Sequence, residues 1–304
     1  MRKSKLIASI VLGLILVTSL CGCSDIVIGG KNGKIFSGNY GGDSAYYYEG
    51  SNYLVGNATV EEAVDSLAID WVSGEIELRY HDDDTIVIEE ESKTDLSDRE
   101  KLRYICEDGT LRIKYVESGV MINKILTKKL TVTLPKDIDF KKVDINTVSS
   151  NLKFDTLKAD SMNYNAVSGD ISANTIEVAD DFVINTVSGE VSIEGSISGK
   201  SLKVNTVSGG MDARLNISDR FDYDTMSGEA KIELEKMCDI DIDSVSGNAN
   251  IILPESPSYT LKYDTVSGYI SMGNEAKINN NVYTVGNGEK SIKVDTVSGN
   301  LTIG

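Results

Sequence analysis

From about residue 60 onward, apolar and polar residues alternate in short runs, as in Ile76/Leu78/Tyr80, Ile86/Ile88 and Val191/Ile193. A period of two predicts strands with one face turned inward. From Asp137 the alternation is itself periodic. Thr-Val-Ser-Gly or a close variant returns with its serine at Ser149, Ser168, Ser188, Ser208, Ser227, Ser246, Ser267 and Ser298, and one outlying copy stands upstream at Ser73. The steps within the array are 19, 20, 20, 19, 19, 21 and 31 residues, so a period near 20 is interrupted once, by an insertion around "MGNEAKINNNVYTVGNGEKS". A repeat of this size predicts stacked supersecondary units that share one core. The fold class follows: all-β, a single-stranded β-helix-like solenoid with coils of about 20 residues, preceded by a small non-repetitive β region.

With each motif serine set to zero, the positions six and four residues before it are apolar in all nine copies, as in Phe182 and Ile184. Those three and five after it are apolar or Ala, as in Val191 and Ile193, and the residues between are polar. This predicts two strands per coil. The inward parity is even before the motif and odd after it, so a corner or bulge must separate the strands, with Val at minus one already in the second phase. Gly at plus one, replaced only by Ser150, suits the conformational freedom of a corner. Asn or Asp at minus three, present in all nine copies, is expected to accept a backbone N–H as an Asx-turn does.

Upstream of the array, two alternating runs around "HDDDT" predict a hairpin with an acidic turn. A second hairpin is predicted around Asp108-Gly109, and a strand ending at Pro135. Residues 23–59 are rich in Gly, Ser, Asn and Tyr without apolar periodicity, which predicts a flexible tether. Residues 1–22 form an export signal: Arg2, Lys3 and Lys5 precede an apolar stretch from Leu6 to Leu20, too short for a spanning helix at roughly 17–25 residues. Leu20-Cys21-Gly22-Cys23 resembles a bacterial lipobox, so Cys23 is expected to carry lipid, including palmitate, and to anchor the chain to the outer face of the cell membrane. The expected organisation is therefore 1–22 signal, 23–59 tether, 60–136 N-terminal β region and 137–304 solenoid.

The formal net charge is −17, and loss of the signal would make it more negative. That balance argues against nucleic acid and anionic lipid surfaces as direct partners. Of four cysteines, Cys106 and Cys238 would remain in the mature chain, consistent with either a disulfide or two buried thiols. The one histidine, His81, followed by Asp82, Asp83 and Asp84, reads as an exposed acidic turn; no Cys/His cluster has metal spacing.

Taken together, "IDWVSGEIELRYHDDDTIVIEEES", "LTVTLPKDI", the tandem "NTVSG" and "DTVSG" copies and "GNGEKSIKVDTVSGNLTIG" resemble the Toastrack family of bacterial cell-envelope proteins, whose members also carry the label "putative adhesin". The resemblance spans about Val60 to Gly304. It implies a β-helix-like solenoid, often near envelope-stress systems, and supplies no catalytic residues. Ser150 departs from its glycine rule, so that corner is expected to differ in shape.

Parallel stacking would align the residues at minus three at about 4.8 Å intervals. Asn146, Asn165, Asn185 and Asn205 could then form an amide ladder. Asp224, Asp243, Asp264 and Asp295 would repel by roughly 1 kcal/mol per adjacent pair even in water. Turn N–H groups, protonation or a divalent cation such as Ca²⁺ would have to offset this, and apart from that ion no cofactor is implied. Nine repeated serines argue against a nucleophile, which needs one activated geometry. The sequence therefore reads as a non-enzymatic, surface-anchored binding or sensing module whose partner is an envelope protein or a wall or surface polymer. An adhesin for host or neighbouring cells and a polysaccharide-active β-helix enzyme are the alternatives.

Overall fold

The computed structural model describes residues 33–37, 45–121 and 126–304, so the signal segment and Cys23 lie outside the described residues. Among the described residues there is no helix, and one sheet of 20 strands carries most of the chain. Its body is a parallel stack. Ile171–Thr186 pairs in register with Val191–Thr206, which pairs with Met211–Thr225, each residue facing its repeat equivalent. Each rung is named below by its motif serine.

A rung is three-sided, whereas the sequence predicts two strands per coil. In the strand Ile171–Thr186 the inward residues fall into three runs: Ile171/Ala173, Ile176/Val178 and Phe182/Ile184/Thr186. Register shifts after Ala173 and after Val178 mark two bends, and the Val-Ser-Gly corner makes the third. The middle run escapes motif-based reading because bulged bends reset the parity without a fixed signature. Fully burying a side chain such as Phe182, Leu202 or Phe221 contributes roughly 1.5–3 kcal/mol. Repeated along the stack, these side chains form one continuous core.

The copy at Ser73 is no outlier in space. Ser66 to Glu77 pairs with Lys142 to Lys153, Ser73 opposite Ser149, so the stack runs straight across the division drawn at residue 136. Residues 82–139 are an excursion from that rung. They return as Lys128–Pro135, which pairs in parallel with Gly74 to His81 and antiparallel with Ile86–Ser92. The predicted hairpin across "HDDDT" is therefore split: a third strand lies between its two arms. The hairpin around Asp108-Gly109 is present, Glu107 facing Thr110, with both turn residues at positive φ as this tight turn requires. The tether is also shorter than expected. Ala45–Tyr48 pairs with Gly33–Ser37 and with Val120–Met121, Tyr46 is 1% exposed, and Leu54–Val55 and Ala58–Val60 are further strands.

At the other end the order in space departs from the order in sequence. Lys290–Asp295 pairs with Asp239–Ser244 on one side and Tyr259–Asp264 on the other, and Leu301–Ile303 lies likewise between Ala249–Ile252 and Ile270–Met272. The Ser298 rung is thus inserted beneath the Ser267 rung. The insertion read from the 31-residue step is the return path, including the antiparallel strands Lys277–Asn279 and Val282–Val285.

Candidate functional site

Each residue of the repeated tetrapeptide has a distinct physical task. The threonine at minus two is buried, and its Oγ1 accepts the N–H of the residue at plus one: Gly189 to Thr186 at 2.9 Å, Gly209 to Thr206 at 2.8 Å, Gly228 to Thr225 at 2.7 Å. This, rather than an Asx-turn from minus three, caps the corner. The signal was legible, since seven of the nine copies carry Thr or Ser there. The serine stands at the surface. Its Oγ donates to the carbonyl at minus one of the neighbouring rung, as Ser188 to Val167 at 3.4 Å, Ser208 to Val187 at 3.3 Å and Ser246 to Met226 at 3.2 Å. Val at minus one enters the core only at the Ser73 rung, where Val72 is buried; Val187 is half-buried, and Val266 on the terminal rung is 81% exposed.

The glycine is required by close approach, not by φ. A Cβ on Gly189 would stand 2.1 Å from the Gly169 carbonyl oxygen, and one on Gly209 would stand 1.9 Å from that of Gly189. Among the motif glycines Gly74 alone has a positive φ, +119°. At its partner Ser150 the strand Phe140–Asn165 runs unbroken through the corner, as Ser66–His81 does through Gly74, whereas later corners interrupt the strand. The Ser150 corner is indeed shaped differently.

The outer ladder at minus three has two chemical halves. Asn146 Nδ2 donates to Asp70 Oδ1 at 2.8 Å, Asn165 to Asn146 at 2.9 Å, Asn185 to Asn165 at 2.8 Å and Asn205 to Asn185 at 2.7 Å. All donors point the same way, toward Asp70, which Lys114 also contacts. Beyond Asn205 the ladder continues in space as Asp224, Asp243, Asp295 and Asp264, the last two reversed from their sequence order by the inserted rung.

Lysines serve this acidic half. Lys203 lies 3.5 Å from Asp224, Lys262 lies 2.9 Å from Asp264, and Lys293 reaches Asp295 at 2.8 Å, Asp241 at 3.0 Å and Asp243 at 3.5 Å. Burial pushes the Asp224 carboxyl up from its ordinary range, against the pull of Lys203, and burial does the same to Asp243 against Lys293. Burial alone would lower the Lys293 ammonium, but hydrogen bonds to Asp295 and Asp241 raise it. Among the described residues no group of three or more His, Cys, Asp or Glu side chains is arranged to hold a metal ion.

The other sequence candidates lie apart from this ladder. His81 Nε2 is 2.6 Å from the Thr85 carbonyl and Nδ1 is 3.7 Å from Asp83, a local turn contact, while Asp82 pairs with Lys136. Cys106 and Cys238 are both free thiols, and burial pushes Cys238 up to about 11. Sequence reading missed two features. One is a shallow open groove of about 450 Å³ crossing several rungs, its floor including Phe140, Ala159, Val178 and Gly199 and its rim Lys158 and Glu177. The other is a buried charged cluster. Lys128, with no exposed side-chain surface, pairs with Glu90 at 2.5 Å and lies over the rings of Trp71 and Tyr115 at 5.0 and 4.2 Å from their centroids.

The model of the Toastrack DUF4097 family matches residues 64–304. No curated protein matches the chain. Solved structures similar to it include the following three. A "putative adhesin" from Bacteroides fragilis NCTC 9343 shares 10% identity at a TM-score of 0.48, over 83% of this chain and 98% of that one. A "putative lipid binding protein" from Parabacteroides distasonis ATCC 8503 shares 14% identity at a TM-score of 0.43, over 82% and 96%. A "putative cell adhesion protein" from Clostridium sporogenes ATCC 15579 shares 13% identity at a TM-score of 0.21, over 82% and 99%.

Proposed function

We propose that this chain, which belongs to the Toastrack DUF4097 family, is a non-enzymatic binding or sensing module of the bacterial cell envelope, held at the outer face of the membrane by lipid on Cys23. One observation carries the reading. Within the repeated motif, the serine hydroxyl is spent on a neighbouring rung and the threonine hydroxyl on its own corner, Ser208 on the Val187 carbonyl and Thr206 on the Gly209 N–H. A catalytic serine needs a lone pair directed at substrate and a base of its own. Here repetition supports a stiff flank on which a partner can be matched rung by rung.

The groove over Phe140, Ala159, Val178 and Gly199 runs across rungs and suits an extended wall or surface polymer better than a small molecule. Its Lys158–Glu177 pair, 3.4 Å apart, supplies both signs of charge at the rim. The decisive experiment incubates the purified mature chain with wall material from its own cells, with intact foreign cells and with a glycan panel. Retention by its own wall material is expected. Retention by foreign cells alone would favour an adhesin, and release of shortened glycan would establish an enzyme; either outcome overturns the proposal. Replacing Cys23 by Ala should move the chain from the membrane fraction to the soluble one.

A further inference from the structure

The amide half of the ladder leaves one end open. Each Asn passes its Nδ2 hydrogen toward Asp70, so each Oδ1 needs a donor from the rung behind it. Asn146, Asn165 and Asn185 receive one, at 2.9, 2.8 and 2.7 Å. Asn205 Oδ1 receives none, although the atom is buried. The residue in register behind it is Asp224. A second buried oxygen without a donor, Asp295 Oδ1, lies further along, with Asp243 in register beside it. A buried acceptor left unmatched is destabilising, because its desolvation is not repaid. Both gaps therefore stand next to carboxyl groups, and an ionised carboxylate has no hydrogen to give.

We infer that the ladder is completed by protons, one on Asp224 donated to Asn205 Oδ1 and one on Asp243 donated to Asp295 Oδ1, making the acidic end of the solenoid a pH-responsive element that tightens on acidification. The neighbouring charges fit. The Ser208 rung presents Lys203 to Asp224 at 3.5 Å, and the same strand as Asp224 presents Asp222, held by Arg220 at 2.5 Å. From Asp239–Ser244 come Asp241 and Asp243, from Lys290–Asp295 come Lys293 and Asp295, and from Tyr259–Asp264 come Lys262 and Asp264. Lys293 serves three carboxylates and Arg220 serves two, so positive charge is shared thinly here, and burial holds the Asp224 and Asp243 carboxyls above their ordinary range.

The sign follows from linkage. A carboxyl raised by folding binds its proton more tightly in the folded chain, so its destabilising effect is absent below the unfolded value of about 3.9 and grows as pH rises through the folded value. Other carboxylates pull the opposite way, such as Asp65, held low by its hydrogen bond to Lys141. A comparison against a variant isolates the ladder.

Asp224→Asn supplies a permanent N–H donor in the same shape. It sacrifices only a half-exposed lysine contact, which is worth little. In the full chain, its melting temperature at pH 8 should exceed that of the parent by about 2–4 °C, and the gap should close as pH falls toward 4. A variant that melts below the parent at pH 8, or a gap that ignores pH, overturns the inference. Independently of any variant, the ¹³C side-chain carboxyl signals of Asp224 and Asp243 should titrate above the ordinary aspartate value of about 3.9. Midpoints at or below that value also overturn it.

Discussion

The middle of the stack and its N-terminal cover are held together by opposite means. From the Ser168 to the Ser246 rung the polar contacts are largely neutral, short-range and repeated: a threonine to a glycine N–H, a serine to the next carbonyl, an amide to an amide. In the N-terminal cover they are charged, buried and made once. Lys128 pairs with Glu90, donates to the Glu100 carbonyl at 2.8 Å, and sits between Trp71 and Tyr115, with burial pulling its ammonium down to about 8. Glu90 in turn accepts the Leu102 N–H at 3.1 Å. A growing stack can lose one of many equal contacts and lose one rung's worth of stability. A cover has no second copy of its fastening.

The sharpest way to test that contrast is to cut the unique fastening. Lys128→Ala strands Glu90 in a nearly water-free site, and should cost about 3–5 kcal/mol, read as a lowered urea midpoint with early hydrogen exchange in the strands Arg103–Glu107 and Thr110–Lys114. Joining Lys128→Met with Glu90→Gln removes both charges together and should recover most of the loss; a double variant no better than the single one would refute the role of the pair.

A smaller effect is expected inside the stack. Gly209→Ala pushes a methyl into the Gly189 carbonyl 1.9 Å away, an overpacking cost of about 2–3 kcal/mol, with exchange quickened around the Ser188 and Ser208 corners and the cover unaffected. Thr206→Val keeps the shape and deletes the acceptor for the Gly209 N–H, for about 1–2 kcal/mol. If Thr206→Val unfolds the chain as severely as Lys128→Ala, the distinction between repeated and unique contacts fails.

The parts of this fold that repeat were legible in the sequence. The period, the alternating strands, the uncommon corner at Ser150 and the amide ladder all follow from residue type at a fixed offset. What was not legible depends on which rung meets which. The glycine rule is visible in sequence, but its cause is a neighbour's carbonyl oxygen that only stacking reveals. The same holds for Ser73, separated by 76 residues from Ser149 yet directly opposite it, and for Lys128, whose partners are scattered between the Ser73 rung, which holds Trp71, and the non-repeated segment, which holds Glu90 and Tyr115. The middle side of each rung was missed because bulged bends, unlike the Thr-Val-Ser-Gly corner, have no fixed residues to announce them.

The inserted Ser298 rung has a consequence for how the molecule is made. Emerging N-terminus first, the solenoid can lay each rung on the previous one in order as far as Ser246. The next segment, Tyr259–Asp264, then has no seat, because its parallel partner Lys290–Asp295 has not yet emerged. It must wait, its Tyr259 and Leu261 uncovered, until the final stretch slides in against Asp239–Ser244. Assembly of this end is therefore a closing step rather than another repetition, and the late stretch acts as a wedge that locks the three last rungs at once.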